Sequence, residues 1–165
     1  MKAIVVYESI WGNTAAIARA IAEGIGPETR VLSTAEASAE AIAGADLLVV
    51  GSPVLGFSVP SDAMLKGIAS GQGRDPVAPD LSQPSMRAWL GTIPNGSGRS
   101  AAFETRIWWS PGGATSGITR ALEKAGYSSL AKPQKFIVQG KYGPLRKGEL
   151  EKAKQWGEDL MKAMP

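Results

Sequence analysis

The sequence predicts a doubly wound α/β domain, in which a parallel sheet is covered by helices on both faces. Short apolar runs alternate with segments of helical periodicity along the 165 residues, and this alternation is typical of parallel α/β architecture. The apolar runs lack a polar residue at every second position, which predicts strands that are buried on both faces. The length suits a single domain spanning residues 1–165.

Three strands and two helices are predicted in the first third of the chain. The first helix carries apolar residues at spacings of three and four between Ile17 and Ile25, and Gly26 with Pro27 ends it. The third strand is apolar from Leu47 to Val50. In chain order the elements are the strand Ala3–Tyr7, the helix Thr14–Ile25, the strand Thr29–Leu32, the helix Ala37–Ala43 and the strand Asp46–Gly51.

The rest of the chain contributes two strands and three helices. Residues Gly67–Pro84 are rich in Gly, Pro, Asp and Ser, which predicts an irregular surface segment. Pro84 suits the first turn of the helix that follows. The elements are the helix Gln83–Leu90, the strand Arg99–Thr105, the helix Ala114–Ala125, the strand Lys135–Gln139 and the helix Gly148–Met164.

The composition excludes several kinds of chemistry. The chain has no cysteine, so disulfides, thiolate catalysis, zinc–thiolate sites and iron–sulfur clusters are excluded. It also has no histidine, so it lacks the usual base near neutral pH and the commonest metal ligand. We therefore predict no metal site, and we expect a bound cofactor to carry the chemistry.

The charge pattern and the hydropathy bear on partners and location. The net charge is +3 and the sequence pI is about 9.3, but the basic residues are scattered, so no nucleic-acid patch is predicted. No apolar run reaches the roughly 18 residues that span a bilayer, and the start resembles a first strand more than a signal peptide. We expect a cytoplasmic protein without membrane or nucleic-acid partners.

Three loops are expected at the edge of the sheet where ligands bind. In parallel α/β sheets this edge lies beyond the carboxyl ends of the strands, so the loops follow Tyr7, Gly51 and Thr105. The first runs into a helix as Ser9-Ile10-Trp11-Gly12-Asn13-Thr14. Unpaired amides at a helix N-terminus, together with hydroxyls, suit a terminal phosphate. The alternative is that Asn13 or Thr14 is an ordinary N-cap.

The other two loops carry apolar and aromatic residues. The apolar residues of the second loop either cover a ligand or pack on segment 67–84. The tryptophans of the third either face a flat ligand or solvent, or pack on the last helix near Trp156, because two adjacent tryptophans are not easily both in a core. The residues are Pro53, Val54, Leu55, Gly56 and Phe57 in the second loop, and Thr105, Arg106, Trp108, Trp109, Gly112 and Gly113 in the third. Together the loops fit an aromatic nucleotide with one phosphate.

These motifs resemble the flavodoxin family. Its phosphate loop has the form Ser/Thr-x-Ser/Thr-Gly-Asn-Thr after the first strand, and the turn Gly51-Ser52-Pro53 and the aromatic third loop follow the same plan. The stretches YESIWGNT and FETR are similar to a flavodoxin-domain group common in actinobacteria. The resemblance implies a flavodoxin-like, five-stranded parallel sheet of order 2-1-3-4-5.

The resemblance also implies FMN as the cofactor. Its phosphate would be held by Ser9, Gly12, Asn13 and Thr14, and its isoalloxazine ring would lie between Pro53–Phe57 and Thr105–Gly113. In flavodoxins a glycine of the second loop turns its carbonyl toward N5 of the reduced flavin, and Gly56 is the candidate here. Arg106 is expected either at the flavin edge or at the surface, and Glu104 is expected at the surface.

Three departures from the family pattern distinguish this chain. Trp11 replaces the middle hydroxyl of the phosphate loop, and the third loop lacks the usual glycine–acid pattern and tyrosine. The basic pI also differs from that of the acidic flavodoxins, which dock on basic reductases.

Three functions remain open from the sequence. The first is an FMN protein that transfers electrons between a reductase and an acceptor. The second is an FMN-dependent NAD(P)H:quinone-type oxidoreductase, for which segment 67–84 would build a substrate pocket. The third is a flavin-free interaction module on the same fold.

Overall fold

The computed structural model describes residues 1–71 and 76–165. Within these ranges, helices and strands alternate along the chain, as the sequence predicts, except that two helices follow β3 and two short strands follow α5. The strands are β1 (Ala3–Tyr7), β2 (Arg30–Ser33), β3 (Leu47–Pro53), β4 (Arg99–Ile107), β5 (Ser128–Ser129) and β6 (Gln134–Val138). The helices are α1 (Asn13–Ile25), α2 (Ala39–Ile42), α3 (Asp62–Ser70), α4 (Met86–Leu90), α5 (Thr115–Lys124) and α6 (Glu149–Ala163).

All described strands belong to one parallel sheet of order β2-β1-β3-β4-β5, and β6 also pairs with β4. The predicted order 2-1-3-4-5 is therefore confirmed, with the fifth position divided between two strands. Ser128 lies opposite Arg99 near the start of β4, and Phe136 lies opposite Thr105 near its end. The two-residue strand β5 was not predicted, because two residues carry no periodicity.

Helices cover both faces of the sheet and enclose two apolar cores. Alternate residues of β1 face opposite sides: Val5 packs with residues of α1 and α6, and Ile4 packs with residues of α2, α4 and α5. The core that contains Val5 also includes an edge-to-face cluster of Phe103, Phe136 and Trp156. No helix in the described ranges is long and apolar enough to cross a membrane.

Several predicted boundaries are wrong. Helix α3 occupies residues assigned partly to the irregular segment; Ser61 caps it by accepting a hydrogen bond from Met64 N at 3.4 Å, and none of its residues is buried. The rest of that segment has no regular structure over 76–84, and residues 72–75 lie outside the described residues. Helix α4 begins at Met86 rather than Gln83, because the Ser85 side chain caps it.

The end of β4 also differs from the prediction. The strand continues to Ile107, so Thr105 and Arg106 lie in the sheet rather than in a loop. The pairing of β4 with β6 extends through these residues, which accounts for the extra length. Strand β3 includes Pro53, which was predicted to lie in the second loop. One or both ends of α1, β2, α2, β3, α5, β6 and α6 differ from the prediction by one or two residues, as is usual for element boundaries.

Candidate functional site

A cavity of about 100 Å³ opens at the carboxyl edge of the sheet. Its lining comes from four chain segments, which follow or end β1, β3, β4 and β6. These lining residues are Ser9, Ile10, Trp11, Asn13, Thr14, Pro53, Val54, Leu55, Thr105, Arg106, Ile107, Val138, Gly140 and Lys141. The structure thus brings residues from all three predicted loops to one place.

The remaining predicted residues are absent from the lining of this cavity. Gly12 lines an adjoining groove on the same loop, and Gly56 lines a groove beside α3. Phe57, Trp108 and Trp109 are 66%, 74% and 64% exposed. The interpretation that the tryptophans pack on α6 near Trp156 is therefore wrong.

The second and third loops are joined by their backbones. Leu55 and Ser58 close a tight turn through N–H to carbonyl bonds of 3.0 and 3.3 Å, with Gly56 and Phe57 at φ 52° and 74°. Gly113 N donates to the Phe57 carbonyl at 2.9 Å. A Cβ at Gly112 would collide with the same Phe57 backbone, so the close approach of the loops requires glycine at Gly112.

The start of α1 has the features of an anion site. Its N-cap is Gly12, in the left-handed region at φ 93°, and no side chain caps the helix. A serine side chain does so in α2, α3 and α4, whereas α6 also begins at a glycine without a side-chain cap. The first N–H groups of a helix have no acceptor within it and carry partial positive charge.

The side chains of the first loop, Ser9–Thr14, do not serve as helix caps. Asn13 Nδ2 donates to the Tyr142 carbonyl at 3.1 Å, and Thr14 Oγ1 lies 2.8 Å from Thr105 Oγ1. The alternative that Asn13 or Thr14 is an ordinary N-cap is therefore wrong. Gly12 N donates to Ser9 Oγ at 3.1 Å, so this amide is bound within the loop.

Trp11 adds an unsatisfied donor to the site. Its indole Nε1 is buried and has no hydrogen-bond partner among the described residues, an arrangement that costs free energy unless an acceptor arrives. The Trp11 ring meets the Tyr142 ring edge to face, with centroids 5.4 Å apart. Lys141 Nζ lies 5.4 Å from the centroid of the Trp11 ring.

The segment after β6 is the part of the site that sequence analysis missed. Val138, Gly140 and Lys141 line the cavity, but only the loops after the first, third and fourth strands were predicted to do so. The signal was available, because all carboxyl ends of a parallel sheet meet at one edge. Applied to the last strand, this rule would have predicted that the segment after β6 also lines the cavity.

Glu104 and Arg106 form a buried pair at the end of β4. Arg106 Nη1 donates to Glu104 Oε1 at 2.9 Å and to the Gly112 carbonyl at 2.8 Å. Glu104 is fully buried, so the prediction that it lies at the surface is wrong. Its carboxylate caps α5 from a neighbouring strand, since Glu104 Oε2 accepts hydrogen bonds from the N–H groups of Ala114 and Thr115 at 2.7 and 3.0 Å.

Glu8 is a second buried acid at this edge. It directly precedes the phosphate loop, and Oε1 accepts a hydrogen bond from Met86 N at 3.1 Å. The pKa of the Glu8 carboxyl is raised to about 7, chiefly by burial; the hydrogen bond from Met86 N lowers this pKa, and the nearby charge of Asp62 raises it. This carboxyl therefore changes charge near neutral pH.

Solved structures with the same architecture include flavodoxins. A flavodoxin from the domain Archaea is 23% identical, with a TM-score of 0.68 over 99% of both chains. Flavodoxin 1 from Bacillus cereus is 18% identical, with a TM-score of 0.69 over 98% of both chains. The chain has a flavodoxin-like fold. The fold implied by the motifs is thereby confirmed.

This flavodoxin-like fold also occurs within larger proteins. The Flv1 flavodiiron core from Synechocystis sp. PCC6803 is 20% identical, with a TM-score of 0.64; the match covers 99% of this chain and 36% of that one. A WrbA-like flavodoxin from Agrobacterium tumefaciens is 17% identical, with a TM-score of 0.60 over 99% and 96% of the two chains. No protein-family model and no curated protein sequence matches the chain.

Proposed function

We propose that this flavodoxin-like protein binds FMN and transfers electrons between a reductase and an acceptor. The observation that carries the proposal is the uncapped N-terminus of α1, which lies beside a cavity lined by residues of the first two loops and by Thr105 and Arg106 at the end of β4. Bound FMN would supply the redox chemistry. The protein would contribute binding, orientation and partial exclusion of water.

The donors at this site fit a phosphate group. The first amides of α1, the hydroxyls of Ser9 and Thr14 and the orphaned Nε1 of Trp11 are hydrogen-bond donors on or beside one loop. The cavity itself is smaller than the roughly 300–1,000 Å³ of pockets that enclose a small ligand. It therefore suits the phosphate end of FMN, with the flavin ring nearer the exposed loops.

The second and third loops would hold the flavin ring. Leu55 lines the cavity, and Trp108 and Trp109 present exposed ring faces on the neighbouring loop. Aromatic and aliphatic faces of this kind exclude water from a planar ring. Gly56 has a positive φ of 52°, and we propose that it provides the carbonyl that faces flavin N5.

The reductase and the acceptor are expected to be acidic proteins. The chain carries a net charge of +3, and complementary charge steers the encounter of redox partners. The exposed side chains of Trp108, Trp109 and Phe57 lie on the loops proposed to hold the flavin, where a partner would need to approach. The proposed location is the cytoplasm.

The test is binding of FMN to the wild type and to two matched variants. Gly12 and Gly148 are both N-caps in the left-handed region, at φ 93° and 88°, and a Cβ at either would meet nothing within 4 Å. Asp tolerates this conformation better than most residues. In Gly12→Asp, the carboxylate would take the place of the phosphate at α1.

We expect the wild type to quench the fluorescence of added FMN and to acquire its visible spectrum. Gly12→Asp should weaken FMN binding about ten-fold or more through charge repulsion and competition for the same amides, whereas Gly148→Asp should bind as the wild type does. A colourless wild type that leaves FMN fluorescent would refute the proposal and favour the flavin-free interaction module.

A second candidate function is an FMN-dependent NAD(P)H:quinone-type oxidoreductase. An open groove of about 440 Å³ lies beside the cavity, and it is lined by Leu55, Gly56, Met64, Ile68, Trp11 and Lys141 among others. Its volume lies within the range of small-molecule sites. Steady oxidation of NADH or NADPH by the FMN-loaded protein with a quinone as acceptor would support this function.

A further inference from the structure

The loop of residues 139–145, which we call the clamp loop, is attached to the phosphate loop. Asn13 Nδ2 donates to the Tyr142 carbonyl at 3.1 Å, and the Trp11 and Tyr142 rings meet edge to face. A Cβ at Gly143 would lie 2.6 Å from Asn13 Oδ1, so the backbone of the clamp loop lies close to the Asn13 side chain. The position of the clamp loop is therefore fixed relative to the start of α1.

The clamp loop is also closed on itself. Gln139 N donates to the Pro144 carbonyl at 2.9 Å, and Gly143 N donates to the Gly140 carbonyl at 3.1 Å. Val138 and Leu145 form an isolated antiparallel bridge at its base. A loop held in this way can present a side chain in a defined place.

Lys141 is the cation that this loop presents to the cavity. It lines the cavity together with Ser9, Asn13 and Thr14, and its Nζ lies 5.4 and 5.2 Å from the ring centroids of Trp11 and Tyr142. Such distances are typical of cation–π contacts. The two rings therefore hold the Lys141 ammonium group beside Trp11, which belongs to the phosphate loop.

Arg106 and Lys141 are the two cations among the described residues of the cavity lining. The charge of Arg106 is matched by Glu104, with Nη1 2.9 Å from Oε1, and its guanidinium also donates to the Gly112 carbonyl. Arg106 therefore holds the third loop in place through these two contacts.

We propose that Lys141 supplies the positive charge that binds the phosphate of the ligand in this cavity. The phosphate loop itself contains no lysine or arginine, yet a phosphate monoester carries roughly −1.5 to −2 charges at pH 7. A full positive charge beside the helix N-terminus complements the amides, which contribute only partial charge. This assignment rests on the proposed binding of FMN.

The test compares FMN with riboflavin, which has the same ring and ribityl chain but no phosphate. Lys141→Met keeps an unbranched apolar stem and removes the charge. We expect it to weaken FMN binding by about ten-fold or more, because hydrogen bonds to charged groups are the strong ones, and to leave riboflavin binding unchanged. Lys141→Arg should restore much of the FMN affinity.

A matched control is Lys147→Met, since Lys147 is an exposed lysine just beyond the clamp loop that is absent from the cavity lining. It should leave both affinities unchanged. The affinity for FMN should also depend on salt more steeply in the wild type than in Lys141→Met, because screening acts on the charge pair. Fluorescence quenching titrations measure all of these quantities.

Three outcomes of these titrations test the assignment of Lys141 to the phosphate. A selective loss of FMN binding in Lys141→Met supports the assignment. An equal loss for FMN and riboflavin, or no loss for either, overturns it while leaving the proposed FMN binding intact, since it would mean that Lys141 only packs on the two rings or has no role. A wild type that does not bind FMN removes the proposed function and the assignment together.

Discussion

Glu104 and Arg106 form an ion pair inside the protein, with Arg106 Nη1 2.9 Å from Glu104 Oε1 and side chains that are 0% and 8% exposed. The pair connects three pieces of structure. Glu104 Oε2 accepts the first amides of α5 from Ala114 and Thr115, and Arg106 holds the Gly112 carbonyl. The third loop of the site therefore depends on two charges at the end of β4.

Replacement of Glu104 is the first prediction. Glu104→Gln leaves the Arg106 charge buried without a counter-charge and weakens the bonds to α5, and we expect it to lower the free energy of unfolding by about 3 kcal/mol. Urea denaturation measures the loss. In the double variant Glu104→Gln/Arg106→Met, the total loss should be smaller than the sum of the single losses.

An exposed pair provides the control for this prediction. Lys162 Nζ lies 3.4 Å from Asp159 Oδ1, and both side chains are more than half exposed. Asp159→Asn should change the free energy of unfolding by less than about 1 kcal/mol. Equal losses from Glu104→Gln and Asp159→Asn would show that the buried pair does not stabilise the third loop.

The second prediction concerns pH and Glu8. Its pKa is about 7 in the folded protein and 4.5 for the free side chain, so the folded state binds the proton more tightly. The resulting stability is complete below pH 4.5 and is lost as the pH rises through 7. The difference amounts to about 3 kcal/mol.

Glu8→Gln isolates this effect, because the amide oxygen can still accept the bond from Met86 N while no charge develops. We expect the wild type to lose stability between about pH 5 and 8 and the variant to lose less, so that the variant is the more stable of the two at the upper end. Urea denaturation at several pH values measures both slopes. Equal slopes would show that Glu8 is ionised in the folded protein at pH 5.

The sequence predicted the parallel sheet because its uninterrupted apolar runs alternate with segments of helical periodicity, and the resemblance to flavodoxins implied the strand order. Glu104 could not be placed in the same way: a single acidic residue at a strand end resembles any solvated residue, and its burial depends on Arg106 and on amides ten residues away. Helix α3 was missed because its second half was assigned to the Gly- and Pro-rich irregular segment, although Met64, Leu65 and Ile68 give the helix an apolar side. Lys141 was missed because the loop after the last strand was not considered.

The third prediction concerns Thr14 and Thr105, whose hydroxyl oxygens lie 2.8 Å apart. Both side chains are buried, so Thr14→Val and Thr105→Val each leave one hydroxyl without its partner. Each variant should lose about 1 kcal/mol of stability. Because only Thr14 belongs to the phosphate loop, Thr14→Val should also weaken FMN binding more than riboflavin binding.

Thr105→Val serves as the matched control, since it breaks the same hydrogen bond from the side of β4. It should affect FMN and riboflavin alike. Titrations of both flavins, together with urea denaturation, separate the two effects. If the two variants have the same ratio of FMN to riboflavin affinity as the wild type, the Thr14 hydroxyl does not contact the phosphate.

The fourth prediction distinguishes Trp108 from Trp109. Both are mostly exposed, so replacing either by alanine should change the free energy of unfolding by no more than about 0.5 kcal/mol. The tryptophan that stacks on the flavin ring should, when replaced, weaken both FMN and riboflavin binding by up to roughly ten-fold, because the ring rather than the phosphate loses a contact. The other should leave both affinities unchanged and should affect only electron transfer to a protein partner. If neither substitution alters flavin binding, the exposed tryptophans belong to a partner interface, and the flavin ring is held by the second loop alone.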